Sequence, residues 1–128
     1  MRRPLLLSTL LAAALALALA GPAGACTFSA TLSTPGHHPK ANKRWPVRIN
    51  LNHKLKTYVT YDFYFRGRHV EHTHYPFYNH HYHFDDGSFV DRTFTWPKRS
   101  IGIPLVVKFG LRNRCGRKTI PYSVTVVR

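Results

Sequence analysis

Acidic residues are scarce in this sequence. Of 128 residues, five are Asp or Glu against nineteen Lys or Arg, and the formal net charge is +14. A paired-carboxylate catalytic site would have to draw on Asp85, Asp86 or Asp91, and the order Asp85-Asp86-Gly87 is instead typical of a turn. The serine-hydrolase, zinc-protease and phosphate-loop motifs are missing as well. The sequence therefore predicts a protein that is not an enzyme.

Cysteine is rarer still. The two cysteines, Cys26 and Cys115, are too few for a disulfide-dense miniprotein or a four-cysteine zinc ribbon. In an oxidising compartment they can pair, and the bridge would close a loop of about 90 residues, worth about 4–5 kcal/mol in the chain-entropy model. We expect a Cys26–Cys115 disulfide, with two free thiols as the alternative.

Long apolar runs are limited to the N-terminus. Residues 5–20 contain Leu, Ala, Ser and Thr alone and follow two arginines, and residues 23–25 form a small-residue A-x-A motif. This pattern is typical of a secretory signal peptide with its cleavage site. We expect a signal peptide over residues 1–25 and an exported domain over residues 26–128.

The same N-terminal segment admits two other interpretations. A membrane anchor needs about 20 apolar residues, more than this run offers. A lipoprotein signal would attach lipid to Cys26, but Ala23 stands where such signals usually carry Leu. With the signal peptide removed, no integral membrane segment is expected.

The rest of the chain has a β-strand pattern. Apolar residues make up 44% of the sequence, too many for a disordered basic tail. They alternate with polar residues in about seven short runs without a 3.6-residue period, which predicts an all-β, antiparallel sandwich. Pro104 and Pro121 inside such runs predict edge strands, strand starts or bulges. The expected core consists of Tyr61, Phe63, Val107, Phe109, Tyr122 and Val124.

Three stretches carry a resemblance to known proteins. They are residues 34–46 (TPGHHPKANKRWP), residues 61–65 (YDFYF) with a following glycine, and the WP and IGIPL segments within residues 96–105. They resemble secreted immunoglobulin-like proteins of actinobacterial type. The resemblance implies a single immunoglobulin-like or fibronectin-III-like sandwich but no activity, and the histidine-rich insert at residues 72–83 departs from it.

Histidine is concentrated in that insert. Six of the nine histidines fall within residues 69–83. If residues 75–80 form a hairpin loop, His74 lies opposite His81 and His72 opposite His83, with Cβ atoms about 4.5–5.5 Å apart. Four such imidazoles can bind Zn²⁺ or Cu²⁺. A solvated, aromatic-rich loop without a metal is the alternative.

Basic residues are expected at both ends of the sandwich, because alternate loops of an immunoglobulin-like order share a pole. One pole would hold Lys54, Lys56, Arg112, Arg114, Arg117 and Lys118. The other would hold Lys40, Lys43, Arg44, Arg66, Arg68, Lys98 and Arg99. Such clusters bind polyanions, and an exported protein meets acidic envelope glycans or acidic protein surfaces far more often than nucleic acid. Charge that only maintains solubility is the alternative.

Together these features predict a secreted, non-enzymatic binding or structural module of the cell envelope, without a cofactor. Its expected partner is an acidic polymer or protein surface, and exposed aromatics such as Tyr58 and Tyr64 are available to stack on sugars. The second hypothesis is extracytoplasmic metal binding by the four histidines. Salt weakens polyanion binding, whereas acidification weakens chelation because imidazoles become protonated.

Overall fold

The computed structural model describes residues 26–74 and 83–128, with the backbone alone described at 72–74. The expected signal peptide and the expected hairpin loop at 75–80 lie outside these ranges. No helix in the described ranges is long and apolar enough to cross a membrane. The strands of the described chain are β1 Ala30–Ser33, β2 Val47–Leu51, β3 Thr57–Phe65, β4 Arg68–His74, β5 His83–Phe84, β6 Ser88–Asp91, β7 Pro104–Asn113 and β8 Gly116–Thr125.

The strands form two antiparallel sheets. The smaller sheet has the order β1-β2-β6, and the larger has the order β4-β3-β7-β8, with β5 also paired to β3. The all-β, antiparallel sandwich expected from the sequence is therefore confirmed. The described residues form eight strands, one more than the expected number of about seven. The additional strand is β5, whose two residues are too few to produce an alternating pattern.

The alternation of buried and partly exposed residues defines the two faces of the larger sheet. Along β3 the odd-numbered residues from Thr57 to Phe63 are buried and the even-numbered ones are partly exposed. Successive side chains of a strand point to opposite faces, so the odd-numbered set faces the smaller sheet. The even-numbered set from Tyr58 to Tyr64 lies on the surface that we call the outer face.

The core between the sheets is rich in aromatic side chains. Phe109 is fully buried, and its ring lies edge-on to that of Tyr61 with centroids 4.9 Å apart. Of the expected core residues, all but Tyr122 are buried. Tyr122 is half-buried because β8 is the edge strand of its sheet, and its ring stacks on His37 at 4.2 Å.

The predicted disulfide is confirmed. Cys26 and Cys115 are bonded, with Cα atoms 4.9 Å apart and a sequence separation of 89. The bridge joins the segment before β1 to the β7–β8 turn, and so links the smaller sheet to the larger at one pole. Disulfides are typical of proteins in oxidising compartments.

Candidate polyanion-binding surface

Three side chains lie next to the Tyr58 ring at one end of the outer face, and a fourth is the cross-strand partner of one of them. The Arg112 guanidinium carbon lies 4.9 Å from the Tyr58 ring centroid, and Lys56 Nζ lies 6.0 Å from it. The His83 ring lies 5.7 Å away on the side where β5 pairs with β3. Arg117 is the cross-strand partner of Arg112. We call these five residues the Tyr58 cluster.

The two arginines of the Tyr58 cluster face each other directly across the β7–β8 ladder. Arg112 pairs with Arg117, and both side chains are exposed. Like charges at directly opposed positions of an antiparallel pair are destabilising. The described ion pairs include neither arginine. The two arginines therefore have no acidic partner among the described ion pairs. An anionic ligand would neutralise their positive charge.

A second tyrosine on the outer face has similar neighbours. Lys108 Nζ lies 4.3 Å from the Tyr64 ring centroid, and the His69 ring lies 5.2 Å from it. His69 Nε2 also hydrogen-bonds the Asp62 carboxylate at 2.9 Å. A cation next to an aromatic face is attracted by the ring quadrupole. Each tyrosine ring thus has a basic side chain and an imidazole among its neighbours.

The structure brings most of the predicted basic pole to one end of the larger sheet and places Lys118 on its opposite face. Lys56, Arg112 and Arg117 meet in the Tyr58 cluster. Lys118 pairs with the buried Leu111, so it belongs to the opposite face of the sheet, where its Nζ lies 5.5 Å from the Phe28 ring centroid. The prediction grouped residues by pole alone and took no account of the alternation that assigns neighbours in a strand to opposite faces.

Lys54 and Arg114 are the remaining members of the predicted pole. Both are exposed, Lys54 in the β2–β3 connection and Arg114 in the β7–β8 turn. These connections adjoin the strand ends that carry Tyr58 and Arg112, which are themselves paired. The two residues extend the positive surface around the cluster, at the same end of the sheet.

The histidine-bearing strands follow one edge of β3. His74 pairs with Thr60, and His83 pairs with Tyr58, which lies two positions nearer the start of β3. Both pairings are antiparallel, so β4 and β5 run in the same direction along that edge. They are therefore consecutive along β3 and do not face each other as the two arms of a hairpin.

This register corrects one element of the predicted metal site. His72 pairs with Asp62 and His83 with Tyr58, so the two backbones lie four β3 residues apart, about 13 Å at the usual rise per residue. The expected direct opposition of His72 and His83 is wrong. The sequence pattern suggested a local hairpin, but both segments form their hydrogen bonds with β3.

The metal hypothesis itself stays a prediction. The side chains of His72 and His74 and the whole of His81 lie outside the described residues. Among the described side chains, no group of three or more His, Cys, Asp or Glu is placed to hold a metal ion. His83 Nε2 lies 3.6 Å from the Asp85 carboxylate.

Comparison with known proteins identifies no relative: no family model, curated protein or solved structure matches this chain. The described surface offers two kinds of contact to a ligand, guanidinium groups and aromatic rings. Guanidinium groups bind carboxylate, sulfate and phosphate groups through paired hydrogen bonds. The partly exposed rings of Tyr58 and Tyr64 add flat apolar surface beside the basic groups. The outer face is therefore suited to an extended ligand with both anionic groups and flat, weakly polar faces.

Proposed function

We propose that this protein is an exported, non-enzymatic module of the cell envelope that binds an acidic glycan through the outer face of its larger sheet. The observation that carries the proposal is the opposed pair Arg112–Arg117 beside the Tyr58 ring. The pair supplies the anion contacts, and the ring supplies a stacking surface.

Electrostatics favours an anionic ligand over a neutral one. The opposed arginines repel each other in the free protein, and an anion between them converts this repulsion into two attractive contacts. A hydrogen bond to a charged group contributes about 1.5–3 kcal/mol. The net charge of residues 26–128, seventeen basic against five acidic side chains or +12, adds a long-range attraction that accelerates encounter with polyanions.

The spacing of the two tyrosines favours a polymer over a small ion. Tyr58 and Tyr64 are six residues apart on one strand, which corresponds to about 20 Å. Each ring has a basic side chain at its face, Arg112 at the first and Lys108 at the second. A glycan chain with regularly placed acidic groups can contact both tyrosines at once, and sugar faces stack on aromatic rings.

Export is supported by two features of the chain. The Cys26–Cys115 disulfide is typical of oxidising compartments. The N-terminal segment has the charge, apolar run and A-x-A motif of a secretory signal. In that location, acidic envelope polymers are available as ligands.

Binding of defined polymers to the purified protein tests the proposal. Heparin provides an acidic glycan, dextran a neutral glycan, and poly-γ-glutamate a polyanion without sugar rings. We expect heparin to bind most tightly and dextran not to bind. Tyr58→Ala should weaken heparin binding more than poly-γ-glutamate binding, because only the glycan uses the ring.

A charge-matched pair of variants locates the surface. Arg112→Gln/Arg117→Gln removes two charges from the Tyr58 cluster, and Lys40→Gln/Lys43→Gln removes two exposed charges elsewhere. The loss of two charged contacts should weaken heparin binding at least tenfold, since about 1.4 kcal/mol corresponds to a factor of ten. Equal losses in both variants would mean that net charge alone attracts the polymer, and the proposed site would be abandoned.

A further inference from the structure

Three arginines from separate segments line one open groove on the smaller sheet. The groove has a volume of about 470 Å³ and is lined by Ser33, Thr34, Pro35, Arg44, Pro46, Val47, Arg48, Val90 and Arg92. Arg48 lies in β2, Arg92 directly follows β6, and Arg44 lies in the segment before β2. The three side chains are exposed. The groove therefore carries three positive charges at its surface.

Strand register brings these arginines together. Arg48 is the central residue of a row across the sheet, paired with Ser33 on one side and with Val90 on the other. Arg44 forms an isolated antiparallel bridge with Thr95, which keeps the segment before β2 next to the segment after β6. The groove is therefore fixed by backbone hydrogen bonding and is largely formed without a ligand.

The positive charge of the groove has no acidic partner among the described side chains. None of the described ion pairs involves Arg44, Arg48 or Arg92. The adjacent acid, Asp91, is completely buried, and its carboxylate accepts hydrogen bonds from Tyr61 Oη and the Thr93 amide. Asp91 thus points into the sandwich, away from the outer surface that carries the arginines.

The remaining residues that line the groove indicate the chemical character of a ligand. Pro35, Pro46 and Val90 provide rigid apolar surface, and Ser33 and Thr34 provide hydroxyl groups. The volume falls within the range of about 300–1,000 Å³ typical of small-molecule sites. A ligand that combines a sugar-sized body with one strongly charged group would use both kinds of wall.

We propose that this groove binds the phosphate monoester of a sugar-sized molecule. A phosphate monoester carries a charge of about −1.5 to −2 at neutral pH and presents three strong acceptor oxygens. Guanidinium groups bind such oxygens in pairs, in a planar geometry that lysine does not reproduce. The groove lies on the smaller sheet, so this site is separate from the Tyr58 cluster and does not depend on acidic-glycan binding there.

Calorimetric titration of the purified protein with glucose 6-phosphate tests the site. We expect saturable binding of glucose 6-phosphate and no detectable binding of glucose. Arg48→Gln/Arg92→Gln should weaken binding at least tenfold. Arg48→Lys/Arg92→Lys retains both charges and should still lose most of the affinity, because the paired guanidinium contacts are gone. Arg66→Gln/Arg68→Gln removes two exposed charges at the β3–β4 turn of the larger sheet, outside both the groove and the Tyr58 cluster, and should bind as the unmodified protein does.

Specific results would overturn the proposal. They are the absence of glucose 6-phosphate binding, binding of glucose as tight as that of glucose 6-phosphate, or a loss of affinity in Arg66→Gln/Arg68→Gln as large as that in Arg48→Gln/Arg92→Gln. Affinity for glucose 6-sulfate equal to that for glucose 6-phosphate would reject a phosphate monoester, because the sulfate ester carries a single charge. Backbone amide NMR shifts upon titration should be confined to the groove around Ser33 and Arg48, and shifts confined to the larger sheet would contradict the assignment. Circular dichroism melts confirm that each variant is folded.

Discussion

The buried carboxylate of Asp91 accepts a hydrogen bond from the Tyr61 hydroxyl at 3.0 Å, and this bond connects the two sheets across the core. Tyr61 belongs to β3 in the larger sheet and Asp91 to β6 in the smaller. Asp91 Oδ1 also accepts from the Thr93 amide and hydroxyl, both at 2.9 Å, and from the Phe94 amide at 3.2 Å. A buried carboxylate is tolerated because it has these donors.

Removing this carboxylate should destabilise the fold strongly. Asp91→Ala leaves the buried Tyr61 hydroxyl and Phe94 amide without this acceptor, and each such loss costs about 1–3 kcal/mol. Urea unfolding should therefore show a loss of about 2–6 kcal/mol, and Tyr61→Phe should lose about 1.5–3 kcal/mol. Asp85→Ala, an exposed control, should stay within about 0.5 kcal/mol of the original stability. Equal stability of Asp91→Ala and Asp85→Ala would refute the role given to Asp91.

The central core position is Phe109. Its side chain has no solvent exposure and contacts the Tyr61 ring. Phe109→Ala should reduce the free energy of unfolding by about 3–5 kcal/mol, the usual cost of emptying an aromatic core site. Val106→Ala, three residues away on the outer face of the same strand, should cost much less in the same denaturation experiment. Similar losses in both variants would show that the two faces of β7 are wrongly distinguished.

Reducing the disulfide should lower the stability without changing the sheet order. The bridge spans 89 positions, and loss of a native disulfide from a small domain costs about 2–5 kcal/mol. Thermal melts with and without dithiothreitol measure this difference. Cys26→Ser/Cys115→Ser should melt like the reduced protein and be insensitive to dithiothreitol. Unchanged melting on full reduction would contradict the stabilising role.

Much of the fold can be predicted from local pattern. The alternation of Val47, Ile49 and Leu51 with polar residues predicts β2, because a strand with one buried face must repeat every two residues. Prolines were equally informative: Pro104 is the first residue of β7, and Pro121 lies in the edge strand β8, positions where a missing amide proton costs least.

The functional surfaces depend on pairing partners that local pattern does not reveal. Whether His83 faces His72 or Tyr58 is decided by which strand accepts the backbone hydrogen bonds of β5, and nothing within residues 72–84 determines this. The arginine groove was missed for the same reason. Arg44, Arg48 and Arg92 become neighbours through the pairing of β2 with β6 and the Arg44–Thr95 bridge, whereas the sequence alone groups Arg44 with the residues of one pole.

The most direct test of acidic-glycan binding at the Tyr58 cluster is the salt dependence of heparin affinity. The slope of log K against log salt concentration counts the ionic contacts released, about one for each basic residue that contacts the polymer. For Arg112→Gln/Arg117→Gln we expect a slope shallower by about two than that of the unmodified protein. Lys40→Gln/Lys43→Gln should keep the original slope. Unchanged slopes in the arginine variant, or the same reduction in the lysine variant, would contradict binding at this surface.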